Sequence, residues 1–124
     1  MISTTNFHPK TDPKLLCTCG SIYCDKRSVS QETLDRLQLV RVSANRPLRV
    51  NSGGRCPLHV DELHRTTPAD HQKGIGVDIA VEGGMQRAQI VDLGLKHGFN
   101  AIGVAKGFVH LGYRKESPLI MWVY

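Results

Sequence analysis

Apolar residues recur along this chain with two different periods, and the change of period marks its elements. Leu34, Leu37 and either Val40 or Leu39 follow helical spacing from about Ser30. Ser30 is placed to cap free backbone N–H groups, and Glu32 sits in the first turn, where the helix dipole favours negative charge. Pro47 disfavours helical conformation in the residue before it, so this helix should end by Asn45. Residues 48–52 alternate as a strand and stop at Gly53-Gly54. Pro57, tolerated in a first turn, predicts a short helix over 57–65, followed by a loop over 66–69. Residues 77–81, β-branched and alternating, predict a strand. Gly83-Gly84 then turns the chain into a helix over about 85–97, with Ile90, Leu93 and His97 or Leu95 inward and Gly98 as its stop. Residues 101–105, 107–113 and 119–124 read as three more strands, whose short connections suit antiparallel pairing. Residues 1–27 carry no apolar period; they hold Pro9, Pro13, Gly20 and three cysteines, and read as an ordered arm packed on a domain over 28–124. The expected architecture is α+β, a small antiparallel sheet with helices packed on one side.

Composition narrows this further. A chain of 124 residues buries one core, and 40% hydrophobic residues argue against disorder. The longest wholly apolar run, residues 119–124, is far short of the roughly 20 residues of a membrane helix, so no membrane span is expected. The net charge of +5 favours anionic partners: nucleic acid, anionic lipid, or a bacterial wall rich in phosphate and carboxylate. No block of five like charges exists and the aromatic residues are scattered, which argues against nucleic acid as the partner. A monomer is expected.

Three residues carry the candidate chemistry. Asp78 lies among Val77, Ile79 and Val81 on a strand, where a carboxylate is costly unless paired or metal-bound. His110 sits among apolar neighbours on another strand, and His71 precedes Asp78 by seven residues. Two imidazoles and one carboxylate are a common ligand set for catalytic zinc, with the fourth position left to water. Their net charge leaves the ion positive enough to acidify that water and polarise a carbonyl. Each residue taken alone also has an ordinary structural reading: a satisfied histidine, a buried hydrogen-bond acceptor.

The order of motifs adds to this. Ser52-Gly53-Gly54-Arg55, then His71-Gln72-Lys73-Gly74-Ile75-Gly76-Val77-Asp78-Ile79, then Gly107-Phe108-Val109-His110 occur in sequence. Over roughly residues 6–124 the chain resembles the zinc D-Ala-D-Ala carboxypeptidase family of peptidoglycan peptidases, which shares its fold with the hedgehog signalling domain. The helix before the first motif and the cysteine-containing arm resemble its short phage and prophage members. The resemblance implies a hedgehog/DD-peptidase fold with His71, Asp78 and His110 as zinc ligands. It implies that Arg55 holds the scissile carbonyl oxygen or a substrate carboxylate, and that Ser52 donates a hydrogen bond nearby. It further implies a zinc metallopeptidase hydrolysing peptidoglycan peptide stems, of phage endolysin or cell-wall carboxypeptidase type. The chain begins without a basic and apolar leader, so the expectation is cytoplasmic synthesis without a signal peptide. Action at the cell wall would follow release, or carriage in a virion.

The departures from the family pattern fall on the proton carrier. The family's serine two positions before the first ligand is Ala69, the motif alanine is Gly76, and the tyrosine before Arg55 is Gly54. Family members carry Glu or His two or three residues before the last ligand, or Asp two residues after it; these places hold Gly107, Phe108 and Gly112. Hydrolysis needs a group to move the proton of water, and its loss costs roughly 10²–10⁴ in rate. Glu116, Asp70 and Glu82 are candidate bases, with His64 and His97 as further free groups. If none reaches the site, the domain is a zinc-containing cell-wall binding module. Cys17, Cys19, Cys24 and Cys56 admit a second, structural zinc, two disulfides, or free thiols; their spacing is not that of a zinc ribbon or finger. A cysteine-zinc nucleic-acid binder is a third class, but it leaves Asp78 and His110 without a role.

Overall fold

The computed structural model describes residues 2–124. Three helices, α1 (Gln31–Ala44), α2 (Asp70–Lys73) and α3 (Gly83–Lys96), accompany five strands, β1 (Val50–Ser52), β2 (Gly76–Ala80), β3 (Ala101–Val104), β4 (Phe108–Gly112) and β5 (Ile120–Val123). The class is α+β. α1 starts where Ser30 Oγ accepts the Thr33 N–H at 3.1 Å, and ends at Asn45 in the left-handed conformation. Its Leu34, Leu37 and Val40 are fully buried. Gly83-Gly84, expected as a turn, form the first turn of α3 itself.

The sheet runs in the order β1-β2-β4-β3-β5. The first three pairings are antiparallel, but β5 pairs with β3 in parallel, so the sheet is mixed rather than antiparallel throughout. Asn100, next to the start of β3, explains the exception. Its side chain donates to the Arg114 and Ser117 carbonyls at 2.8 and 3.1 Å and accepts the Arg114 N–H at 2.7 Å. Its backbone carbonyl takes the Ile120 N–H. The connection after β4 is thereby held at the end of the sheet where β3 begins, and β5 can only run alongside it.

The helix expected over 57–65 is absent; those residues form successive turns. Glu62 is 2% exposed and meets Arg55, Arg65 and Gln72 through its carboxylate. A buried carboxylate needs such partners, and satisfying them shapes this segment in place of a regular helical ladder. A helix appears instead at Asp70–Lys73, directly after the expected loop over 66–69.

Strand alternation divides the sheet into two faces. Val77, Ile79, Ile102, Val109 and Leu111 share one core with Leu34, Leu37 and Val40 of α1 and Ile90 of α3. Phe7 and Leu15 of the arm belong to the same core. On the opposite face the register sets one row across the strands: Ser52 beside Asp78, Asp78 beside His110, His110 beside Gly103, Gly103 beside Trp122. That row is the floor of the candidate site, and α2 stands over it.

Candidate metal centre

Asp78 Oδ1 is the point of convergence. It lies 2.9 Å from His110 Nδ1 and 3.3 Å from His71 Nε2. A tetrahedral zinc ion with bonds of roughly 2.0–2.1 Å separates its ligand atoms by about 3.3 Å, so these spacings suit three corners of one coordination shell. β2 and β4 supply Asp78 and His110 as direct cross-strand partners, and α2 brings His71 onto them.

The outer atom of each group is held. His71 Nδ1 donates to the Gly53 carbonyl at 2.7 Å; a carbonyl can only accept, so Nδ1 carries a proton and Nε2 is the nitrogen turned to Asp78. His110 Nε2 meets Asp70 Oδ2 at 2.9 Å. Asp78 Oδ2 faces the Arg55 guanidinium at 3.5 Å. With Nε2 donating to Asp70, His110 Nδ1 and Asp78 Oδ1 would be two acceptors at 2.9 Å, which repel unless a proton or a metal ion lies between them. Carboxylate and carbonyl partners behind ligating imidazoles are the usual support of metal sites. The donor set fits a divalent cation.

The electrostatics agree with the contacts. Burial pushes the Asp78 carboxyl up, but hydrogen bonds from His110 and His71 and their charge outweigh it and hold it well below the usual range. Asp70 is lowered in the same way, burial being outweighed by His110 and Arg114. Burial pulls His110 down, while Asp70 and Asp78 raise it, with a net upward shift.

Above this floor lies a cavity of about 530 Å³, bordered by Arg55, Asp61, Arg114, Trp122 and Tyr124 among others. Arg55 is anchored: its Nε donates to Ser52 Oγ at 3.0 Å, and its terminal nitrogens face Glu62, Asp78 and Asp61. Ser52 therefore accepts from Arg55 and orients it. Of the three candidate bases, only Asp70 borders the cavity, and both its oxygens are engaged, by His110 and by Arg114 Nε at 2.9 Å. Glu82 and Glu116 are exposed and do not border it. His97 bonds Ser43, and His64 lies exposed away from the cavity.

Sequence reasoning missed Asp61, Glu62, Phe108, Arg114, Trp122 and Tyr124. The Trp122 ring lies tilted against His110 with centroids 5.3 Å apart, and Tyr124 tilted against Phe108 at 5.0 Å. The two-residue spacing of Trp122 and Tyr124 on the last strand does put them on one face; what the pattern lacks is which strand lies beneath. Gly54, where the resemblance expects tyrosine, has a direct cause. A Cβ there would meet the Arg27 carbonyl oxygen of the arm at 2.1 Å, so no side chain fits.

The four cysteines also converge, with one sulfur from each within 4.8 Å of the others. They form no disulfide. Burial pushes the Cys17 thiol up to about 12, ahead of its backbone hydrogen bonds. Cys56 is lowered: burial opposes, but the Leu58 N–H and hydrogen bonding with the other three thiols outweigh it. Comparison of the chain with protein-family models and with curated proteins finds no match.

Proposed function

We propose that this protein is a zinc metallopeptidase hydrolysing peptide bonds in bacterial peptidoglycan stems, built on a hedgehog/DD-peptidase-like fold. The observation that carries the reading is the convergence of His71 and His110 on Asp78 Oδ1 at the floor of an open cavity, with each candidate ligand braced from behind. His71, Asp78 and His110 would hold the ion. When bound, zinc supplies Lewis acidity, polarising a carbonyl and lowering the pKa of water.

The chain's own residues supply the rest. Asp70 fixes the His110 ring through Nε2 and is itself steadied by Arg114. Arg55 braces Asp78 and borders the cavity, where its charge suits an oxyanion or a substrate carboxylate. Arg114, also on the cavity, offers a second anion-binding fork. Phe108, Trp122 and Tyr124 add aromatic surface to the wall of the cavity. Asp61 is a cavity carboxylate whose side chain is 60% exposed, and its Oδ2 is 3.8 Å from Arg55. The same oxygen is 3.8 Å from His59 Nδ1; as the most exposed carboxylate bordering the cavity, Asp61 would take a proton from attacking water and return it to the leaving amine. The excess positive charge suits an anionic wall.

A second reading is a zinc-containing cell-wall binding module with weak or no hydrolysis. It is favoured by Gly107, Phe108 and Gly112 at the family's base positions and by the full engagement of Asp70. Mass spectrometry of soluble fragments from purified peptidoglycan separates the two. Zinc-loaded protein should release stem-peptide fragments, and His71→Ala should release none. Sedimentation with peptidoglycan and no fragments, from zinc-loaded wild type, overturns the peptidase reading in favour of the binder.

A further inference from the structure

Cys56 is the hub of a compact sulfur group. Its Sγ lies 3.5 Å from Cys17, 3.6 Å from Cys19 and 3.9 Å from Cys24. A disulfide requires about 2.05 Å, and Cys56 could bond only one of three near-equivalent neighbours. Tetrahedral zinc with Zn–S bonds of about 2.3 Å instead spaces its sulfurs at about 3.8 Å, which matches all three separations. The backbone is turned to suit thiolates. The Lys26 N–H donates to Cys24 Sγ at 3.3 Å, two residues on. The amides of Cys19, Ser21 and Leu58 stand in the same two-residue relation to the sulfurs of Cys17, Cys19 and Cys56. Arg27, which interacts electrostatically with Cys17 and Cys56, offsets the negative charge that four thiolates would leave around a divalent ion.

We propose that Cys17, Cys19, Cys24 and Cys56 bind one zinc ion as a closed tetrathiolate that pins the N-terminal arm to the turn carrying Arg55. The site is structural. Cys17 and Cys56 are buried, Cys19 and Cys24 half-buried, and none of the four borders the cavity over His71, Asp78 and His110. Four protein ligands leave no coordination position for substrate. The segment it closes needs such a staple, because residues 16–28 hold only one isolated bridge, Leu16 to Ser28. Cys56 adjoins Arg55, and the neighbouring arm packs directly on Gly53 and Gly54, with the Gly54 N–H donating to the Leu15 carbonyl at 3.1 Å. The thiolate site therefore holds in place the Gly53 carbonyl that orients His71 and the guanidinium that braces Asp78.

The test uses the full chain purified under reducing conditions, with two of the three ligands of the other centre altered, His71→Ala with Asp78→Asn. Metal analysis should find about one zinc per chain, released by a mercurial thiol reagent in step with the thiols it titrates. Replacement by cobalt(II) should give the intense sulfur-to-cobalt charge-transfer absorption of thiolate ligation, in wild type as well as in the double variant. Adding Cys19→Ser should abolish both signals; if that variant fails to fold, the cobalt spectrum of the wild type still decides. A folded double variant without zinc, zinc retained after all four thiols are alkylated, or intact-mass evidence of disulfides in the zinc-loaded chain would overturn the assignment. Fragment release from peptidoglycan plays no part in these readouts, so this inference and the peptidase reading fail separately.

Discussion

A Cβ at position 112 would lie 2.5 Å from Asp70 Oδ2 and 3.1 Å from His110 Nε2. Positions 70 and 112 therefore compete for one space beside the His110 ring, and here the carboxylate comes from α2 while β4 contributes glycine. Asp70 is a positioning residue: it fixes which imidazole nitrogen faces Asp78. Asp70→Asn leaves a neutral amide where a carboxylate accepted from His110 and Arg114, and should weaken zinc at the His71–Asp78–His110 centre by about 10–100-fold. Competition with a chelating dye measures this. The zinc held by the cysteines should be unaffected, which separates the effect from a general loss of fold; equal weakening of both pools would refute a positioning role.

At the scale of elements, the site depends on the fit of the arm against β1 and its turn. Gly54 has no room for a Cβ because the Arg27 carbonyl lies over it. Gly54→Ala must push backbone aside and should destabilise the chain by about 1–3 kcal/mol. Gly107→Ala, in open space between β3 and β4, should stay within about 0.5 kcal/mol of wild type. Urea unfolding of the two variants at fixed zinc checks the contrast; equal stabilities would show that the arm yields freely. The long helices answer to a different rule. Leu37 of α1 is fully buried in the shared core, and Leu37→Ala should cost about 2–5 kcal/mol with little change in zinc content.

For the whole molecule, two clusters of candidate metal ligands bracket one short turn, residues 53–56, and metal bound at either would couple to folding. A ligand that binds only the folded chain at 100 times its Kd adds about 2.7 kcal/mol. For a domain of this size one such site shifts the thermal midpoint by about 10 °C. Scanning calorimetry of zinc-loaded against chelator-treated protein, under reducing conditions, should show a fall of at least that size. A midpoint indifferent to chelation would mean that neither cluster contributes binding energy to the native state.

The local pattern settled much of this protein. Ser30, Glu32 and the apolar spacing of Leu34, Leu37 and Val40 specify α1, because capping and one-sided burial act within a few turns of chain. The alternation around Asp78 and around His110 placed each polar side chain opposite its apolar neighbours, since side-chain direction in a strand depends only on the backbone. The tertiary structure alone decided which groups meet. Strand pairing set Asp78 beside His110, the Asn100 clamp turned β5 parallel to β3 and brought Trp122 over that row, and Glu62 held residues 57–65 out of a helix. Asp70, four-residue α2 and the meeting of Cys56 with the arm left no periodic trace. Contacts between residues distant along the chain depend on the packing of all the elements together, and no short window of sequence contains that.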